Sequence, residues 1–288
     1  MTRELGEIAQ HLASELARHD DAVPHVARRY VAGDARGQTL IAASIDHTLL
    51  RPTANQADIE RLCDQARDEQ LFAVCVNPVW VPLCRQRLED TGVRVVTVAG
   101  FPLGANRTAI KAAETALAVA DGADEIDMVV ALGPLKSGDW RAVRADIEAV
   151  IAAAASRPVK VIIESAALVP VEIVKASELA RELGAAFVKT STGFSEAGGA
   201  TTTAVALIRA TVGAALGVKA SGGIRDCESA LRMLAAGASR LGTSNGAAIA
   251  RCLGSDPLPL SVLMAAPGRH LPRCAVARPP ASTRISSP

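Results

Sequence analysis

Eight short β-rich runs recur along the chain, each followed by an Ala/Leu-rich helical stretch, and no other feature limits the possible folds as tightly. The runs are TLIAASID (39–46), LFAVCVN (71–77), RVVTVAG (94–100), EIDMVV (125–130), VKVIIES (159–165), AAFVKTS (185–191), GVKASGG (217–223) and RLGTS (240–244). Strict β-α alternation makes successive strands parallel, because each helix carries the chain back along a sheet face. Eight units predict closure into an α/β fold of the (β/α)8 TIM-barrel type rather than an open sheet. Composition agrees. Apolar residues make up 49% of the chain and aromatics only 2%, so the core must be Val, Ile, Leu and Ala, as suits parallel strands covered on both faces.

Local punctuation supports the same division. Helical patterns run over 55–70, 107–122 and 171–184, and Gly92, Gly122, Gly184 and Gly237 stand where helices should stop. Asp139 and Asp226 are placed to accept from the first free N–H groups of the following helices. Residues 1–38 read as an amphipathic helical extension with Ile8, Leu12, Leu16 and Ala17 on one stripe, 39–252 as the barrel, and 253–288 as a flexible Pro/Arg-rich tail.

Several functions are excluded at this level. A net charge of +1 offers nothing to a polyanion, and the scarcity of aromatics removes stacking platforms, so no nucleic-acid partner is expected. No charge-free apolar run of about 18 residues exists, so no membrane span is expected. The charged N-terminus lacks a secretory apolar core, and the six scattered cysteines form no CxxC pair. A cytoplasmic protein with reduced thiols, no zinc site and no disulfide framework is expected. GxxxxGK[ST] is absent, so there is no P-loop.

Barrel chemistry sits at the C-terminal ends of the strands. The polar residues there are Asp46, Cys75, Asn77, Asp127, Glu164, Lys189 and Lys219, whereas Lys160 precedes the centre of its strand and is expected at the bottom face in a structural role. Lys189 and Lys219 lie inside apolar runs on neighbouring strands. A buried lysine is costly unless neutral or paired. Two in one cavity lower each other's proton affinity, and a neutral amine is what attack on a carbonyl needs. Asp127 could relay protons to such a pair, or simply hold a lysine in place. Glycine-rich loops TSTG (190–193), SGG (221–223) and LGTSN (241–245) follow the last three strands and suggest a phosphate cup.

Together IDHTLL (45–50), VCVNP (74–78), VAGFPLG (98–104), GADEIDMV (122–129), VKTSTGF (188–194), VKASGGIR (218–225) and LGTSNG (241–246) make the chain resemble the deoxyribose-phosphate aldolase family over roughly 40–250. The resemblance implies a class I aldolase that reversibly cleaves 2-deoxy-D-ribose 5-phosphate to acetaldehyde and D-glyceraldehyde 3-phosphate in deoxyribose phosphate catabolism. It implies Lys189 as the Schiff-base lysine, Lys219 as the residue perturbing it, and Asp127 in proton transfer. Cys75 and Asp46 would lie in the substrate pocket, with Gly193, Gly222, Gly223, Gly242, Ser244 and Asn245 around the phosphate. No metal or cofactor is implied; the partner is the phosphorylated sugar, and a homodimer is expected. Two departures stand out. Asn245 replaces the second serine of a frequent Ser-Ser pair, and the only tyrosine is Tyr30, so the C-terminal tyrosine of some members has no counterpart. The alternatives are a lysine-dependent aldolase for another phosphorylated sugar, marked by a second phosphate site near Lys189, and a silent sugar-phosphate binder.

Overall fold

The computed structural model describes residues 41–252. The helical extension expected over 1–38 and the tail expected over 253–288 lie outside the described residues. Eight strands, β1 (Ile45–Leu49), β2 (Ala73–Val76), β3 (Arg94–Ala99), β4 (Glu125–Val129), β5 (Val159–Ile162), β6 (Phe187–Lys189), β7 (Gly217–Ser221) and β8 (Arg240–Thr243), close in sequence order into one barrel. Every neighbouring pair is parallel, including β1 with β8. The expected TIM barrel is therefore the observed one.

The helices form where the sequence places them. In Gln56–Asp68, the Asn55 side chain accepts from the Asp58 N–H, and Ile59, Leu62, Cys63 and Ala66 turn inward at helical spacing. Asp139 and Asp226 cap the helices Trp140–Ala153 and Cys227–Ala235 as expected. Gly92, Gly122, Gly184 and Gly237 all adopt positive φ, which glycine alone among the common residues does at no steric cost.

Two apolar regions result. The larger lies between barrel and helices and takes the outward residues of the strands, among them Val74, Val95, Ile126, Met128, Val161, Val188, Val218 and Leu241. The smaller, Leu50, Ala73, Cys75, Val96 and Val98, fills the barrel interior beside β1 to β3. Beside them, with Val129, Ile162 and Phe187, the interior carries a row of charges. Asp127 pairs in register with Lys160, Lys189 with Lys219, and Lys219 with Arg240. Laterally paired residues of a parallel sheet face the same side, so this row converges inside the barrel.

Two expectations need correction and a third is sharpened. The first strand is not 39–46. Ala42–Ser44 form a 3-10 turn closed by Ser44 Oγ on the Ile41 carbonyl (2.7 Å), and β1 begins at Ile45. Asp46 is thus the second residue of its strand, deep in the barrel, not at its mouth. Lys160 lies early in β5, low in the barrel as expected, but it is no peripheral contact: it is fully buried, laterally paired with Asp127, and bonded to both Asp127 and Glu125. Cys63, Cys75 and Cys84 are free and buried, but Cys227 is disulfide-bonded. Wide sequence spacing carries no signal for such a bond, because tertiary proximity decides it.

Candidate active site

Asp127 is the hub. Its Oδ2 accepts from Lys189 Nζ at 2.8 Å and Lys219 Nζ at 2.7 Å, and its Oδ1 accepts from Lys160 Nζ at 2.7 Å. Lys219 also donates to Asp46 Oδ2, while Asp46 Oδ1 accepts from Arg240 Nη1 at 3.0 Å. Glu125 Oε2 lies 2.7 Å from Lys160 Nζ and 3.4 Å from Arg240 Nη1. All of these side chains are buried. Shared carboxylates let four cations sit together out of water, where unpaired charge is costly.

The two candidate lysines differ in their company, and so in their protonation. Burial pushes the Lys189 amine below its ordinary range; its share of Asp127 opposes this only in part, and the Lys219 charge adds to it. Burial acts on Lys219 in the same sense, but Asp127 and Asp46 outweigh it and hold its ammonium charged above the usual lysine range. The mutual lowering expected from sequence is therefore one-sided: Lys189 yields its proton and Lys219 keeps one. Burial favours neutral carboxyls, yet Lys160, Lys189 and Lys219 hold Asp127 well below the carboxylate range, and Lys219, Arg240 and Lys160 take Asp46 down to about 2. Burial raises the Cys75 thiol, so it is an apolar wall and not a nucleophile.

Lys189 is the member of this cluster that reaches open space. A cavity of about 440 Å³ at the C-terminal mouth is lined by Lys189, Thr48, Arg51, Thr192, Phe194 and Arg225, and by Gly193, Ser221, Gly222, Gly223, Gly242 and Ser244. Five expected substrate contacts (Gly193, Gly222, Gly223, Gly242 and Ser244) thus meet around one space, while Asp46, Cys75 and Asn245 do not line it. Asp46 is spent on Lys219 and Arg240. Cys75 lies in the inner apolar cluster. Asn245 clasps two loops, its Nδ2 donating to the Arg225 carbonyl at 2.7 Å and its N–H to Thr243 Oγ1 at 3.0 Å. Glu164, in a left-handed conformation at the end of β5, accepts from the Thr192 hydroxyl at 2.6 Å and steadies the loop after β6.

The glycines permit this crowding. Gly222 has φ +85°, and a Cβ there would stand 2.9 Å from Gly199 Cα. A Cβ on Gly242 would meet Lys219 Cε at 3.1 Å. Sequence reasoning missed Arg51, Phe194, Glu125 and Arg240. The last two were visible as charged residues opening apolar strands; nothing in the sequence marks which of them point inward.

A closed (β/α)8 barrel with a buried lysine–carboxylate cluster under a glycine-rimmed mouth defines the class: a barrel enzyme equipped for amine chemistry on a carbonyl. A family model described as DeoC/LacD family aldolase matches residues 40–253, and the chain belongs to that family. It is 52% identical over 213 residues to a deoxyribose-phosphate aldolase of Mannheimia succiniciproducens, covering 74% of this chain and 95% of that one. It is 52% identical over 206 residues to one of Enterococcus faecalis, covering 71% and 93%. Among solved structures, the tetrameric deoxyribose phosphate aldolase from Aeropyrum pernix superposes with a TM-score of 0.73 at 30% identity, covering 82% of this chain and 97% of that one.

Proposed function

We propose that the chain reversibly cleaves 2-deoxy-D-ribose 5-phosphate to acetaldehyde and D-glyceraldehyde 3-phosphate through a Schiff base on Lys189. The observation that carries this reading is that Lys189, alone in its cluster, combines a lowered proton affinity with a place on the cavity wall. The neutral amine adds to the aldehyde carbon of the open-chain sugar, and loss of water leaves an iminium. The C2–C3 bond then breaks as the C3 hydroxyl gives up its proton, and the iminium takes the electron pair to become an enamine. Protonation at C2 and hydrolysis release acetaldehyde and free Lys189. Lys219, the charged neighbour, fits the role of proton donor, with Asp127 holding both amines at hydrogen-bond distance. The reaction needs no external electron sink.

Gly193, Gly222, Gly223, Gly242 and Ser244, with Arg225 beside them, suit the phosphate. Charge-assisted hydrogen bonds of this kind are worth about 1.5–3 kcal/mol each. Gly222→Ala should therefore raise KM for the phosphorylated sugar roughly 10- to 100-fold, while the slower turnover of unphosphorylated 2-deoxyribose changes little. Equal losses on both substrates would place the phosphate elsewhere.

A phosphorylated sugar does not cross membranes unaided, which fits action in the cytoplasm; no helix among the described residues is long and apolar enough to span a membrane. The exposed Leu103, Ile110 and Leu117, two of them seven residues apart on one helix, suit a homodimer contact. The test of the reading is direct: incubation with acetaldehyde, borohydride reduction and peptide mapping should place the adduct on Lys189, with glyceraldehyde 3-phosphate released from 2-deoxyribose 5-phosphate in a separate assay. An adduct only on Lys160 or Lys219, or none, overturns it.

A further inference from the structure

The barrel floor holds an ion set that the reaction does not touch. Arg240 opens β8 with its guanidinium 3.4 Å from the centroid of the Phe72 ring and 5.1 Å from that of Phe187. Two rings and two carboxylates, Asp46 and Glu125, fix it in place. Its side chain is 8% exposed and that of Glu125 2%, too buried for bulk solvent to neutralise. Glu125 in turn joins Lys160 to Arg240.

Counting the buried charges gives these residues a purpose. The carboxylates linked into this one ion cluster are Asp46, Glu125 and Asp127, and its buried cations are Arg240, Lys160, Lys219 and Lys189. Three anions balance three cations, so the interior is neutral when one lysine is neutral. Lys189 is that lysine. Arg240 is fixed by its chemistry, Lys160 touches Asp127 and Glu125, Lys219 touches Asp127 and Asp46, and Lys189 has only a share of Asp127. The other titratable or charged groups nearby are Cys75 on β2, half-exposed Arg94 on β3, Arg51 and Arg225 on the cavity wall, and Glu164 behind Thr192. Arg94 reaches Glu125 Oε1 at 3.0 Å from the solvent side, where its own charge is half-exposed, and Glu164 is bonded to Thr192 and makes no ion pair with the cluster.

We propose that Arg240 and Glu125 are positioning residues whose charges decide whether Lys189 stands as a free amine at neutral pH, without either touching substrate. This rests on the Schiff-base reading of Lys189 but is tested separately from it. Loss of the Arg240 charge leaves three anions against three cations including Lys189, which then holds its proton. Loss of the Glu125 charge does the reverse.

The experiment is the pH dependence of acetaldehyde trapping by borohydride, read on Lys189 by peptide mapping, in full-length variants with melting curves taken alongside. Arg240→Met should move the midpoint upward by on the order of one pH unit, with trapping recovered at alkaline pH. Glu125→Gln should move it downward. Arg240→Lys, which keeps the charge and loses the fork, should stay near wild type, and the double variant Arg240→Met/Glu125→Gln should return toward it. If Arg240→Met does not fold, Glu125→Gln and Arg240→Lys still decide the matter. Unshifted midpoints in folded variants, or shifts of the same sign for Arg240→Met and Glu125→Gln, overturn the proposal. Failure of trapping on Lys189 in the wild type would instead overturn the Schiff-base reading.

Discussion

Lys189→Met should lower cleavage of 2-deoxyribose 5-phosphate by roughly 10⁴-fold or more, because no other residue can supply the covalent intermediate. Lys219 is held charged by two carboxylates, and the Lys160 amine is engaged by Asp127 and Glu125; neither lines the cavity. The barrel should remain folded. Methionine has a similar length, Asp127 keeps two lysine partners, and the substitution removes the one cation for which the interior has no full counter-charge. The melting temperature should be unchanged or slightly higher, and borohydride should trap no adduct in the cavity. Residual turnover within tenfold of wild type, or an adduct that persists at another lysine, would show that the nucleophile lies elsewhere.

Asp127→Asn acts on both activity and stability. Turnover should fall about 10²- to 10⁴-fold, the range for losing a positioned proton-transfer group. Stability should fall by about 1.5–3 kcal/mol, the scale of a hydrogen bond to a charged group, since Lys160 keeps Glu125 and Lys219 keeps Asp46 when the carboxylate they share is lost. The pH dependence follows from the direction of the shifts. Asp127 lies well below its ordinary 3.8 in the fold and Asp46 at about 2. A carboxyl with a depressed folded value contributes stability that is complete above its unfolded value and lost as the pH falls through the folded one. Wild-type melting temperatures should therefore be level above about pH 5 and drop below about pH 4. The Asn variant should start lower and lose less over the same interval, because one of the two depressed groups is gone. Melts between pH 2.5 and 6 decide this; parallel curves would mean that Asp127 is not the hub.

The sequence carried the eight strands because each is an apolar run bounded by helix stops, and local punctuation is chemical: Gly122 and Gly184 end helices through φ, Asp139 and Asp226 begin them through hydrogen bonds. It was less informative about depth. The run at 39–46 is apolar enough for a strand, yet it opens with residues outside the described set and a 3-10 turn. The shift puts Asp46 beneath Lys219 instead of beside the substrate cavity. Lys160 shows the same limit. Its place early in β5 was legible, but that Asp127 is its lateral neighbour and Glu125 its second partner follows only from the register of the closed barrel. Asn245 looked like a direct phosphate contact and proves to be a clasp between the last two loops.

By itself, the sequence determined the barrel, its order, the loops at its mouth and the identity of the lysines, because periodicity, caps and glycines act over a few residues. Only the tertiary structure decided which lysine gives up its proton. That depends on how three carboxylates on β1 and β4 are shared among four cations on β5 to β8, over separations of up to 194 residues, and charge balance in a dry interior is a property of the closed barrel as a whole.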